Sequence, residues 1–513
     1  MKDLFNQQGR ENSVLFTNSI SHHKQPSLQY KRAKNSGSNR MNPIVEAACE
    51  LAISSAYGSG TTYRPIGPSA DTAFSGSMVL ELELVTTGAK TGVEVASKNV
   101  VLKHSSVRSL HPSFETDESK RKNSKKYAAA VKTDKSSRNE CAFLNVYWEC
   151  LLTKNFNKTR IPAVLFARDH PTEGVTLLLE SLSSFGENGG STRIDEIPLG
   201  PRTDAALEWL ANFHAAFLPR SLNPWAFDLL PSCTRNENKA NTTTAGASPT
   251  SFLWSVGTHL SLEKRSPVEL RNLATDLTAF VERFQGEHEY FLTSADARKQ
   301  GRRIQAVAEG VAATLHPDNN PTRRTMVHGD YKQGNMFFDD ACDIGEASSS
   351  KENPSKTSNR DKIAVFDWQW TGPGIAATDL IYLCVMAVSD EALEDYETNI
   401  LKPYHKYLLQ AMNRGQNIDE SIQNDYPYEV LANEFKLAAI DIQRWLGGSR
   451  LNSMTPESVL KAQENVDVNH GIFRRSVERL VWVFQTVDGA LDDVESGKVP
   501  LISPNSSLDG TSR

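Results

Sequence analysis

MVHGDYKQGNMFF occupies residues 326–338, and IAVFDWQWTGPGIAATDLIYL occupies residues 363–383. The first stretch sets Asp330 and Asn335 five apart on a tight, glycine-containing loop that runs into the apolar Met336, Phe337 and Phe338. The second sets Asp367 at the end of the apolar run 363–366. A loop of this kind between two short strands lets three oxygen-bearing side chains converge on one point. Taken singly, His-Gly-Asp is an ordinary turn and Asp367 an ordinary cap. Together and in this order they meet a specific chemical demand. Phosphoryl transfer from ATP needs a carboxylate to orient the attacking hydroxyl, and an amide plus a carboxylate to hold hard Mg²⁺ against the phosphates.

HGDxxxxN, an apolar strand, DWQ and a downstream Asp-Leu resemble the aminoglycoside phosphotransferase and choline kinase superfamily. DWQ followed by Gly-Pro and Asp-Leu-Ile-Tyr is most similar to its ecdysteroid-kinase-like, CHK-type branch. The resemblance is close over residues 323–386 and looser over residues 100–182. It is recognisable in LEWLANFHAAF (residues 207–217) and fades beyond Asp390. It implies a protein-kinase-like α+β fold in two lobes, a small antiparallel β-sheet N-lobe and a larger α-helical C-lobe, with ATP between them. The implied activity is that of a small-molecule kinase moving the γ-phosphoryl group to an alcohol. Asp330 is then the catalytic carboxylate, and Asn335 and Asp367 are the Mg²⁺ ligands.

The same resemblance assigns residues upstream. Lys103, in the run Val100, Val101, Leu102, Lys103, is placed like the strand lysine that binds the α- and β-phosphates. Glu140 is its candidate partner, with Glu149 on the same segment as a competitor. The segment 177–182, with Glu180 and Leu182, matches the linker whose backbone reads adenine. GPSADTAFSG (residues 67–76) is the candidate phosphate-covering loop, with Ser75 and Gly76 approaching phosphate through backbone N–H groups. Lys332 stands where protein kinases also carry a lysine, which implies neutralisation of charge on the transferring group. Asp379 resembles an aspartate that braces the catalytic loop, and His328 reads as a structural loop residue. His214 is expected to be a packed core histidine. Trp368 and Trp370 either wall the acceptor pocket or pack between the lobes.

Working outward, the expected organisation is a disordered tail over residues 1–42, an N-lobe over 43–182 and a C-lobe over 183–498. Residues 499–513 read as a second disordered tail. Residues 78–86 alternate Val and Leu with Glu81 and Glu83, a strand pattern, and residues 99–104 form another strand. Residues 104–138 hold nine Lys/Arg, four Asp/Glu and eight Ser, which reads as a solvated insertion ahead of a helix beginning at Asn139. Two further polar insertions are expected over 232–251 and 340–361. Beyond Asp379 the pattern is helical to about Ser496.

The chain has 513 residues and a formal net charge of −6, which gives no support for a chain-wide nucleic-acid role. No apolar run approaches the ~20 residues of a spanning helix. Six cysteines without a CxxC pair fit reduced thiols rather than a disulfide framework or a zinc site. The first 40 residues carry seven Lys/Arg against two Asp/Glu, as some organelle-targeting segments do, but lack an apolar core. A cytoplasmic location is therefore expected. ATP and Mg²⁺ are the expected cofactors and a small-molecule alcohol the expected partner. Nothing in the sequence supports a protein partner for the basic insertion.

Two rivals are a protein kinase and a non-catalytic nucleotide-binding scaffold. HGD in place of HRD and DWQ in place of DFG speak against the first. The presence of Lys103, Asp330, Asn335 and Asp367 speaks against the second. The helices after Asp390 carry acidic and aromatic side chains alike, as in Asp395, Glu397, Trp445 and Trp482, so cationic and apolar acceptors are both compatible with them.

Overall fold

Leu80, Leu82 and Leu84 are buried while Glu81 and Glu83 between them are not, so the alternation in the sequence becomes a strand with one covered face. The computed structural model describes residues 43–57, 61–66, 78–87, 94–105, 125–146, 159–170, 173–183, 191–218, 253–340, 362–413 and 426–503. Five strands form one antiparallel sheet: β1 (Thr61–Pro65), β2 (Met78–Thr87), β3 (Glu94–Ser105), β4 (Val164–His170) and β5 (Gly174–Glu180). Their spatial order is β1-β2-β3-β5-β4. Val79 stands opposite Lys103 on one side and Leu177 on the other, which puts Lys103 in the central strand.

Helix α1 (Pro43–Tyr57) packs on this sheet, burying Cys49, Ala52 and Ile53. Helix α2 (Lys125–Val146) also packs on it and carries Glu140. This helix starts fourteen residues before the expected Asn139, so the last part of the segment read as a solvated insertion is helix. Its buried turn is made of Ser136, Ser137, Asn139 and Glu140, polar residues whose burial leaves no apolar periodicity to read. The Ala128–Ala129–Ala130 run is a strong helix former.

The remainder is mostly helical. Short strand β6 (Ser191–Thr192) precedes α3 (Pro201–Phe217), α4 (Pro267–Phe284), α5 (Glu289–Thr293) and α6 (Ala295–Leu315). Four short strands then carry the motif region: β7 (Thr325–Val327), β8 (Met336–Asp339), β9 (Ile363–Val365) and β10 (Gly372–Gly374). β8 pairs with β9 and β6, and β7 pairs with β10, all antiparallel. Helices α7 (Ala377–Met386), α8 (Asp390–Glu394), α9 (Lys402–Met412), α10 (Tyr428–Ser449), α11 (Pro456–Glu464) and α12 (Val477–Glu495) complete the chain. This is the two-lobed α+β architecture expected from the motifs.

The expected C-terminal tail needs correction at its start. Val499 is 2% exposed and its N–H bonds to the Asp493 carbonyl at 3.0 Å, while the Ile502 N–H reaches Thr314 Oγ1 at 2.8 Å. The apolar Val499 and Leu501 dock on the helical core, which holds residues 499–503 in place. The expected tail 1–42, the candidate phosphate loop with Ser75 and Gly76, the competitor Glu149, and the insertions over 232–251 and 341–361 lie outside the described residues.

No described helix is long and apolar enough to cross a membrane. Cys49, Cys141 and Cys384 are buried, and burial pushes each thiol up to about 12, far from reactive thiolate character.

Candidate functional site

The loop from His328 to Asn335 is tied from several sides. The Asp379 carboxylate, fully buried at the start of α7, accepts the backbone N–H of His328 at 2.7 Å and of Gly329 at 2.9 Å. His214 of α3 lies 3.2 Å from the same carboxylate through Nε2 and 2.7 Å from the Tyr404 hydroxyl through Nδ1. The His328 ring spans the loop: Nδ1 accepts the Asp330 N–H at 3.3 Å, and Nε2 bonds the Phe366 carbonyl at 3.1 Å. Only the neutral imidazole with its proton on Nε2 can do both. Burial also lowers this ring's proton affinity. Gly329 has φ +80°, and a Cβ there would lie 2.3 Å from the Trp370 carbonyl oxygen, so this turn requires glycine.

These restraints fix Asp330. Its Oδ2 accepts from Lys332 Nζ at 2.9 Å and Asn335 Nδ2 at 3.0 Å, and its Oδ1 accepts from the Tyr382 hydroxyl at 2.6 Å. Burial raises the Asp330 carboxyl, but the Lys332 ammonium and the Tyr382 hydroxyl outweigh it and hold the group below the usual carboxylate range. His259 adds no charge near neutrality, because burial holds its ring down to about 3.

On the other side, Lys103 Nζ lies 2.6 Å from Glu140 Oε2 and 3.0 Å from Asp367 Oδ1. Desolvation works against the Lys103 charge, yet two carboxylates more than restore it and raise its proton affinity. Burial and the surplus negative charge of Asp367 push Glu140 upward, against the pull of Lys103. Asp367 has φ +72°, a left-handed conformation that Asp tolerates better than most residues and that marks a site held by its surroundings. Asn139 clasps the segment that follows, donating from Nδ2 to the carbonyls of Trp368, Gln369 and Thr371 and accepting the Trp254 N–H at 2.7 Å. The Trp368 N–H in turn donates to Glu140 Oε1 at 3.3 Å. The helix and the DWQ segment are therefore locked to each other by adjacent residues.

The donor set suits a hard cation. Asn335 spends its Nδ2 protons on the Asp330 carbonyl and carboxylate, leaving its Oδ1 as an oxygen ligand. Lys103, Glu140 and Asp367 together carry one uncompensated negative charge. Among the described residues no three His, Cys, Asp or Glu side chains form a dedicated metal cage. Mg²⁺ commonly uses one or two protein oxygens and completes its shell with water and phosphate.

Other expected residues fall differently. Glu180 gives Oε2 to Arg160 at 2.6 Å and to the Ala163 N–H at 3.0 Å, and its own N–H donates to the Ala163 carbonyl at 2.9 Å. Leu182 is buried. Trp368 is fully buried, 4.3 Å from the Phe143 ring, and is a core residue. Trp370 instead faces Trp254 and His259, at 5.3 and 5.4 Å between ring centres. Sequence reasoning missed Asn139, Trp254, His259 and Tyr382. Only two of these had a readable signal. Asn139 directly precedes Glu140, and Tyr382 lies within the Asp-Leu-Ile-Tyr run.

Residues 269–416 match the model of a known family. It is the ecdysteroid kinase-like family. The matched segment runs from the first turn of α4 into the residues after α9 and contains the Asp330 loop, Asp367 and Asp379. This agrees with the branch that the motifs resemble. No curated protein matches the chain. Solved structures similar to it include the microcompartment-associated aminopropanol kinase, at 10% identity and TM-score 0.32, covering 89% of this chain and 99% of that one. A Ralstonia eutropha protein assigned as an aminoglycoside phosphotransferase overlaps at 10% identity and TM-score 0.37, covering 87% and 98%. An aminoglycoside 2'-phosphotransferase in its GDP complex overlaps at 10% identity and TM-score 0.30, covering 88% and 98%. Overlaps this loose carry no argument about the site, which stands on its own geometry.

Proposed function

We propose that this chain is a Mg·ATP-dependent kinase that phosphorylates a hydroxyl group on a small molecule. The observation that carries the reading is the meeting of Lys103, Glu140 and Asp367 from three separated stretches of chain, beside the Asp330–Asn335 loop. The match of residues 269–416 to the ecdysteroid kinase-like family supports it independently. In this reading residues 43–182 form the N-lobe and residues 183–498 the C-lobe, with ATP between them.

Lys103, held charged by Glu140, positions the α- and β-phosphates. Asp367 and the Oδ1 of Asn335 would hold Mg²⁺, which supplies charge neutralisation at the phosphates. Asp330 is ionised well below neutral pH, so it accepts a hydrogen bond from the acceptor hydroxyl and orients its oxygen for attack. A positioned carboxylate of this kind is worth roughly 10²–10⁴ in rate. Tyr382 and Asn335 keep the carboxylate from rotating, and Lys332 offers positive charge beside the transferring group.

The test separates the two aspartates. Mg·ATP at about 100 times its dissociation constant stabilises a protein by ~2.7 kcal/mol, which is readable as a thermal shift. Wild type and Asp330→Asn should both show that shift, Asp367→Ala should show a diminished one, and only wild type should turn over. Normal turnover by Asp330→Asn would refute the catalytic role. Failure of wild type to bind Mg·ATP would refute the kinase reading as a whole.

A further inference from the structure

Tyr382, whose hydroxyl holds Asp330, begins a continuous aromatic surface. Its ring lies 5.6 Å from His259 and 6.5 Å from Trp445. His259 lies 5.1 Å from Trp445 and 5.4 Å from Trp370, and Trp370 stacks on Trp254 at 5.3 Å. An aromatic surface beside a catalytic carboxylate would ordinarily suit a cationic alcohol. Here this chain's own cations already lie beside it. Arg450 lies 5.2 Å from the Trp445 ring centre, Lys132 lies 5.0 Å from that of Trp370, and Lys264 lies 4.9 Å from that of Trp254.

Three cations in this region have no carboxylate partner among the described residues. Arg265 is paired with Glu269 at 2.8 Å and Arg444 with Asp441 at 2.7 Å. Among the described residues no carboxylate pairs with Lys132, Arg450 or Arg474. Burial and neighbouring positive charge depress the proton affinity of Lys132 and Arg474, with Arg265 acting on the first and Arg450 on the second. The carboxylates within reach are already committed. Asp330 accepts three side-chain hydrogen bonds, and Glu269 is held by both its oxygens to Arg265.

A second, independent feature lies on the same surface. His259 Nδ1 and Trp445 Nε1 are buried without a hydrogen-bond partner, in residues 8% and 2% exposed. A polar ligand that reached these atoms would satisfy them.

We propose that the acceptor is an anionic alcohol: a hydroxyl compound whose apolar or aromatic body lies along Tyr382, Trp445 and Trp370, and whose negative group, such as a carboxylate, is met by Arg450, Lys132 and Arg474. The location of the acceptor rests on the kinase reading above, while its charge class rests on the unpaired cations and the unsatisfied His259 and Trp445.

The experiment uses the full chain with Mg²⁺ and a non-hydrolysable ATP analogue, titrated calorimetrically with three alcohols of one skeleton. These are 4-(hydroxymethyl)benzoate, 4-methylbenzyl alcohol and 4-(aminomethyl)benzyl alcohol. A charge-assisted contact predicts that the benzoate binds roughly ten-fold tighter than the neutral compound, and the amine most weakly. Arg450→Gln and Lys132→Gln should each remove most of that advantage without changing affinity for the neutral compound or the Mg·ATP thermal shift. Sodium sulfate at constant ionic strength serves as an anion probe free of any skeleton. It should raise the melting temperature of wild type more than that of Arg450→Gln, and it decides the matter should none of the three alcohols bind. Equal or inverted affinities, an advantage that survives both variants, equal sulfate shifts, or loss of the Mg·ATP shift in Arg450→Gln would overturn the proposal. An anion preference in a wild-type chain that does not bind Mg·ATP would instead refute the kinase reading and leave an anion site. The two failures are thus distinguishable.

Discussion

Asp379 should be the most sensitive single support of the catalytic loop, and Asp379→Ala tests this. Its carboxylate is fully buried and accepts two consecutive backbone N–H groups, at 2.7 and 2.9 Å, with His214 Nε2 at 3.2 Å. Truncation leaves all three groups facing a side-chain-sized void. Each unsatisfied buried donor costs about 1–3 kcal/mol, so the three give about 3–9 kcal/mol in the limit of no relaxation. Relief from burying a carboxylate, and entry of a water, reduce this to about 3–5 kcal/mol, the range seen when one member of a buried polar pair is removed. Asp379→Asn keeps one oxygen and turns the other into a donor facing an N–H, so it should lie between wild type and alanine. Urea midpoints measure the loss. Hydrogen exchange of the peptide covering 326–338 localises it, since His328 and Gly329 amides should lose protection first. An alanine variant within about 0.5 kcal/mol of wild type, with unchanged protection over 326–338, would refute the claim that this carboxylate holds the loop.

Gly329→Ala should be destabilising by at least about 2 kcal/mol, combining the left-handed penalty of roughly 1–2 kcal/mol with a Cβ that meets the Trp370 oxygen at 2.3 Å and the Thr258 nitrogen at 2.6 Å. Urea unfolding checks it, and a neutral result would mean the turn can adopt another path. His104, His259 and His328 are all held below their ordinary value by burial, so they fold as neutral rings. Their contribution to stability is present above pH ~6.5 and is lost as pH falls toward their folded values, at up to about 1.4 kcal/mol per unit for each ring. Urea midpoints between pH 7.5 and 5 should fall accordingly, and a flat profile would contradict the buried neutral assignment.

The fold was legible where burial follows a period. Leu80, Leu82 and Leu84 alternate with glutamates, and the apolar face of α3 recurs at helical spacing, so both elements could be placed from composition and spacing. The part of α2 before Glu140 was not legible, because its buried positions include Ser136, Ser137 and Asn139, which look like solvent-facing residues in a sequence. The candidate site divides the same way. Asp330, Asn335 and Asp367 stand in compact motifs that announce themselves. His259 packs on Tyr382, 123 positions away, and Asn139 holds the DWQ segment, more than 200 positions away, and no local pattern encodes such contacts. Trp368 and Trp370 show the limit most clearly. Two residues apart in one strand exit, they go to opposite environments, one into the core against Phe143 and the other toward Trp254 and His259.

The charges around Asp330 are arranged unequally, and this bears on how the site works. On one side Lys103, Glu140 and Asp367 leave a surplus negative charge, with Glu140 almost fully buried. A deficit of positive charge at low dielectric is costly unless a cation is bound. On the other side Lys132, Arg450 and Arg474 leave a surplus of positive charge against aromatic rings. Asp330 and Lys332 stand between the two and cancel each other. Each half is therefore electrostatically incomplete in the opposite sense. In the proposed reading, Mg²⁺ would complete the first half and an anionic acceptor the second. Asp330 is already tied to Lys332 and Tyr382 in this structure, so in the proposed reading its carboxylate would need no reorganisation when either ligand arrives, which is the condition under which a preformed site lowers a barrier.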